Sequence, residues 1–215
     1  MTFRLTKIDE LTRPDHYHLD ESDNCYFFGE YTARKGFSHS DTNQLILNLK
    51  KGSDKKGSYE YRYKGRAIQQ VANLITGTIG NLYDYTFVPI PPSKCNDDPA
   101  YDDRMTAILR LCLQTNGNLQ FREMISQRIS MEASHSSAAR PSPAQIAANY
   151  QFDHNLTAGI RNTIVIFDDV LTAGSHYKAM KDTIRHHLPN VGLMGLFVAR
   201  TARDAEWFDD SDLDD

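Results

Sequence analysis

Asp168 and Asp169 are adjacent carboxylates set between four apolar residues, Ile164-Val165-Ile166-Phe167, and a loop of small and hydroxyl residues, Thr172-Ala173-Gly174-Ser175, followed by His176. Two carboxylates side by side repel phosphate. They suit the vicinal hydroxyls of a sugar, or a divalent cation. The loop has the opposite character. If a helix starts at its end, unpaired backbone N–H groups and the helix dipole favour a phosphate there. A sugar phosphate satisfies both halves of the motif.

These groups need a strand and a helix to present them. The apolar, largely β-branched run reads as a central parallel strand over 163–168, covered on both faces. Ligands of open α/β sheets bind beyond the carboxyl ends of such strands. Tyr177, Met180, Ile184 and Leu188 fall on one face of a following helix, and 191–198 is another apolar strand. Upstream, 86–94 reads as a buried strand ended by Pro89, Pro91 and Pro92, because proline cannot donate to a ladder. The spacing predicts helices over 64–80 and 101–114, the second with Asp102 and Asp103 near its start.

Nearer the start, 25–31 is an aromatic strand, and Ser40-Asp41-Thr42 offers helix caps before Leu45, Ile46 and Leu49. Tyr59-Glu60-Tyr61-Arg62-Tyr63 alternates as a half-buried strand should. The lysine-rich stretch 50–57 reads as a solvated turn, and His16 and His18 as surface histidines. Residues 129–147, rich in Ser and Ala, read as a mobile segment, and the five aspartates of 207–215 as a fraying tail.

The 215 residues suffice for one α/β domain with an added element, and 24% charged with 40% hydrophobic residues is ordinary globular composition. The net charge of −4 gives no sign of direct nucleic-acid binding. No apolar run reaches membrane-spanning length, and the first ten residues lack a secretory apolar stretch. Cys25, Cys95 and Cys112 form no zinc spacing and read as reduced, partly buried thiols. A cytoplasmic protein, with no membrane partner, is expected.

At 164–175 the chain resembles the type I phosphoribosyltransferases, whose signature is four apolar residues, two acidic residues, two apolar residues and a Thr-Thr/Ala-Gly-Ser/Thr loop. His176 departs from it, standing where many relatives carry a small residue or Thr. Receiver domains and Mg²⁺ phosphatases also place acidic pairs after apolar strands, but lack this loop. The resemblance implies that Asp168 and Asp169 bind the ribose hydroxyls of 5-phosphoribosyl-1-diphosphate (PRPP). It implies that Thr172, Ala173, Gly174, Ser175 and His176 bind the 5-phosphate. Mg²⁺ would be held indirectly by Asp168 and Asp169, through substrate or water. Val-Pro-Ile-Pro-Pro-Ser-Lys at 88–94 is similar to the diphosphate strand and loop of the ComF-like subgroup. Pro92, Ser93, Lys94 and Arg104 are the matching diphosphate-side residues, although Tyr101-Asp102-Asp103-Arg104 replaces the usual Arg-Gly-Phe-Asn. His135 and Arg140 are candidate lid residues. The subgroup's zinc module has no counterpart here.

The expected fold is therefore an open, mostly parallel α/β sheet of type I phosphoribosyltransferase kind, with helices on both faces and an N-terminal added element. The expected division is 1–63 as that element or hood, 64–204 as the core, and 205–215 as an acidic tail. Aromatic residues of 25–63 could stack a base, although a packing role suits most of them better. The expected activity is transfer of phosphoribosyl from PRPP to an unidentified acceptor, with release of diphosphate. Asp169, on the base side of the ribose, is a candidate proton acceptor. The alternative is a non-catalytic module that senses PRPP or a nucleoside monophosphate, or a ComF-like component of DNA handling or defence. A homodimer is compatible with either.

Overall fold

The computed structural model describes residues 3–131 and 141–202. Their main feature is a six-stranded sheet. In chain order the strands are β1 (Thr6–Lys7), β2 (Cys25–Tyr31), β3 (Tyr85–Pro89), β4 (Gln120–Phe121), β7 (Thr163–Leu171) and β8 (Gly192–Thr201). Their spatial order is β1-β2-β8-β7-β3-β4. Only β1 is antiparallel to its neighbour; the other five strands run parallel. Strands β5 (Ile125–Gln127) and β6 (Tyr150–Phe152) form a separate antiparallel pair.

Helices cover both faces. On one side lie α1 (Asp41–Leu49), α2 (Arg62–Thr78) and α3 (Arg104–Thr115), whose Leu45, Ile46, Val71, Ile75 and Ile108 pack with Phe87, Val165 and Phe167 of the sheet. On the other lie α4 (Pro143–Ala148) and α5 (Ser175–His187), whose Ile146, Tyr177, Met180 and Ile184 pack with Val88, Ile164 and Ile166. The period of two along β7 thus feeds two cores rather than a core and solvent, which explains its continuous apolar run. Gly195 of β8 permits this packing, since a Cβ there would lie 2.9 Å from Tyr177.

The first 63 residues contribute β1, β2 and α1 to this same sheet and helical layer. Ser40 caps α1 by accepting from the Asn43 N–H at 3.0 Å. The stretch 59–63 is not a strand: a 3-10 turn at Tyr59–Tyr61 leads directly into α2. The expected strand over 163–168 extends three residues further, so Asp168 and Asp169 lie within β7. Within the expected mobile segment, 143–148 forms α4, capped reciprocally by Ser142 and Gln145 and anchored by the buried Ile146. Among the described residues, no helix is long and apolar enough to cross a membrane.

Candidate functional site

Strands β3 and β7 are neighbours, yet the chain leaves them in opposite directions. After β3 it passes through α3 on one face to β4, and after β7 through α5 on the other face to β8. This divergence opens a crevice beyond their carboxyl ends, where open α/β sheets bind ligands. A cavity of about 350 Å³ lies there.

Its walls join segments far apart in sequence. Asp168 and Asp169 come from β7; Thr172, Ala173, Ser175 and His176 from the loop and start of α5; Pro92, Ser93 and Lys94 from the loop after β3; Arg104 from the start of α3. Gly174 sits behind this wall at φ +90°, in the left-handed region, and caps α5 without a side-chain hydrogen bond. A Cβ on it would lie 3.1 Å from Leu19. His135 and Arg140 lie outside the described residues.

The two carboxylates differ sharply. Asp169 is buried, and its Oδ2 accepts from Arg104 Nε at 3.0 Å and Nη2 at 2.7 Å. Lys50 Nζ stands 3.6 Å from its other oxygen. Arg104 also donates through Nη1 to Asp102 at 2.7 Å. Asp102 in turn takes two hydrogen bonds from the buried Lys64 ammonium, at 2.8 and 2.7 Å. The third Lys64 donor goes to the Lys51 carbonyl at 2.7 Å. A chain of alternating charges thus runs from α2 through α3 to β7. Burial alone would raise the Asp169 pKa, but Arg104 and Lys50 outweigh it and hold the carboxyl below its ordinary value.

Among the described residues, Asp168 has no such cation in contact. Burial, then the Asp169 charge, push its pKa up; the Asp169 N–H, donating at 2.8 Å, and the more distant Arg104 only partly compensate. A carboxyl of raised pKa can exchange a proton near neutrality, whereas one locked to a guanidinium cannot readily do so. From the sequence the candidate proton acceptor is Asp169; in the structure Asp168 is the more easily protonated carboxyl of the pair. Burial lowers the pKa of His176, which also lines the cavity, and its Nδ1 has no partner among the described residues.

Two further residues escaped sequence reasoning. Lys50, expected in a solvated turn, lines the cavity from the end of α1. His16, expected at the surface, is fully buried, and its Nδ1 hydrogen bonds to the Thr172 carbonyl. Since a carbonyl only accepts, Nδ1 carries the proton. The His18 N–H donates to the Ala173 carbonyl at 3.0 Å, so residues 16–19 back the whole 172–174 loop. No local signal marks this contact, which spans 156 positions.

Neither a protein-family model nor a curated protein matches the chain. Fold and site define an open α/β protein with a crevice of mixed polar and apolar lining at the switch point of a mostly parallel sheet.

Proposed function

We propose that the chain binds PRPP and transfers its phosphoribosyl group to an acceptor, releasing diphosphate. One observation carries this: the acidic pair, Thr172, Ala173, Ser175 and His176 at the start of α5, and the 92–94 loop with Arg104 line one cavity. Sugar hydroxyls, 5-phosphate and diphosphate each find a chemically suited wall there. The first N–H groups of α5 lack a side-chain cap and are available to the 5-phosphate. Asp168 meets a ribose hydroxyl, and Lys94 and Lys50 balance diphosphate charge, while Arg104 holds Asp102 and Asp169 in place. Catalysis then rests on positioning and electrostatic stabilisation as the bond to ribose C1 breaks.

Among the described residues, no three His, Cys, Asp or Glu side chains converge on a metal position. One or two carboxylates plus ligand oxygens nevertheless suffice for Mg²⁺, and Asp168 is the carboxylate suited to it. Mg²⁺ would neutralise departing diphosphate.

A second reading has its own support. Asp169 is already taken by Arg104 and Lys50, as in a pocket that senses PRPP or a nucleoside monophosphate without turning it over. Calorimetric titration with PRPP and Mg²⁺, followed by a screen of free bases for diphosphate release, separates the two. Binding with turnover is expected. Binding without turnover for any acceptor favours the sensor, and no binding overturns both.

A further inference from the structure

The net charge of −4 conceals a strong asymmetry. Residues 34–66 hold nine of the 24 lysines and arginines but only three of the 28 acidic residues. Helix α2 has Arg62, Lys64 and Arg66 in its first five residues and no acidic residue along its length. Cations at a helix N-terminus run against its dipole, so this placement is unfavourable for the isolated helix. Lys64 is accounted for by Asp102, but Arg62 and Arg66 are exposed.

The exposed cations are interleaved with aromatic rings. The Arg62 guanidinium lies 3.3 Å from the Tyr59 ring centre and 5.0 Å from that of Tyr63. Arg66 approaches Tyr63 at 5.3 Å, and Lys51 approaches Phe37 at 4.9 Å. Tyr59 and Phe37 remain 69% and 47% exposed, so their faces are accessible beside these cations. Further along α2, Arg66, Gln69, Gln70 and Asn73 line a shallow groove. The patch begins beside the cavity, because Lys50 lines that wall and Lys51 is the next residue.

We propose that this surface, from Phe37 and Lys51 through Tyr59, Arg62 and Arg66, binds single-stranded nucleic acid. Bases stack on the rings and phosphates meet the cations. Exposed rings distinguish this partner from a duplex, whose bases are already stacked, and from an acidic protein, which needs only the charges. A ring with one face against a guanidinium offers its other face to a base. The site does not depend on the sugar-phosphate reading of the cavity.

The test is fluorescence anisotropy of the full chain, without PRPP, against labelled oligonucleotides of about 16 nucleotides, the upper range of single-strand footprints. Single strands should bind at least about tenfold more tightly than the matching duplex, and affinity should fall steeply with salt. Equal affinity for single strand, duplex and heparin would overturn the proposal. Preference between DNA and RNA strands assigns the source, and either supports the site. Phe37→Ala with Tyr59→Ala should weaken binding about fivefold or more per ring. Arg62→Glu with Arg66→Glu should abolish it. Both pairs change exposed side chains, and their melting curves check that the fold persists. Unchanged affinity in either folded variant would overturn the proposal.

Discussion

Removing the Arg104 side chain leaves Asp169 buried, with Lys50 as its remaining cation among the described residues. Breaking a buried pair costs about 3–5 kcal/mol, because the remaining charge has lost its solvation and its partner. Arg104→Met should therefore lose stability in that range in urea unfolding at neutral pH. The loss should shrink in acid: a depressed folded pKa gives stability that is present above the unfolded carboxylate pKa and disappears as pH falls through the folded value. Asp168 has the opposite sign. Its raised pKa means that ionisation costs folded stability as pH rises from the unfolded value, about 3.9, through the folded one. Asp168→Asn should thus melt higher than wild type at neutral pH, with the gain vanishing in acid. A uniform gain at all pH values would show that charge is not the cause. Adjacent carboxylates were legible in the sequence, and their inequality was not. It depends on Arg104 and Lys50, which the fold brings from 65 and 119 positions away.

At the scale of elements, the 172–174 loop is shaped from behind. Residues 16–19 meet it through His16, His18 and Leu19, and the turn that follows them is tied to α5: Asp23 accepts from Lys178 at 2.8 Å and from Lys181, with its side chain fully buried. Asp23→Ala should lose on the order of 1.5–3 kcal/mol for a charged hydrogen bond. It should also speed hydrogen exchange at the His18 amide, which bonds to Ala173. Slow exchange there in the variant would mean the ion pairs do not hold this segment. Gly174 is needed for its backbone as well as its size. Gly174→Ala should cost about 1–2 kcal/mol for the left-handed conformation, plus the clash with Leu19. In a Leu19→Ala background the clash is relieved but the backbone cost is not, so the two changes should fall short of additivity by about 0.5 kcal/mol or more in urea unfolding. Strictly additive values would remove Leu19 from the account. The hydrophobic periodicity of α2, α3, α5, β3, β7 and β8 was readable because each buries a continuous face. The alternation at 59–63 misled because its tyrosines bury no face; they sit beside Lys51, Arg62 and Arg66 at the surface.

For the whole molecule, the sheet order decides where a ligand goes, and the charges around the crevice decide what it must bring. Sequence pointed to a parallel sheet and to the strand ends as the site. It did not give the order that makes β3 and β7 neighbours, since strand pairing over such separations leaves no local trace. The resulting cavity is lined by Lys50, Lys94 and Arg104 and by five carboxylates, Asp102, Asp103, Glu123, Asp168 and Asp169, of which Asp168 has no ion-pair partner among the described residues. With no convergent set of three metal-binding side chains among the described residues, Mg²⁺ would have to take most of its oxygen ligands from the bound molecule and from water. PRPP and Mg²⁺ should therefore bind cooperatively, each tightening the other by the same factor. Calorimetric titration of PRPP at matched ionic strength should show an affinity at least about tenfold higher with Mg²⁺, a coupling of about 1.4 kcal/mol. Mg²⁺ alone should barely move the melting temperature. Together, at about one hundred times the dissociation constant, they should add about 2.7 kcal/mol of stability. If PRPP instead binds equally well without Mg²⁺, Lys50 and Lys94 already neutralise the diphosphate. The pocket is then built to retain PRPP rather than to release its leaving group, and the sensor becomes the better account.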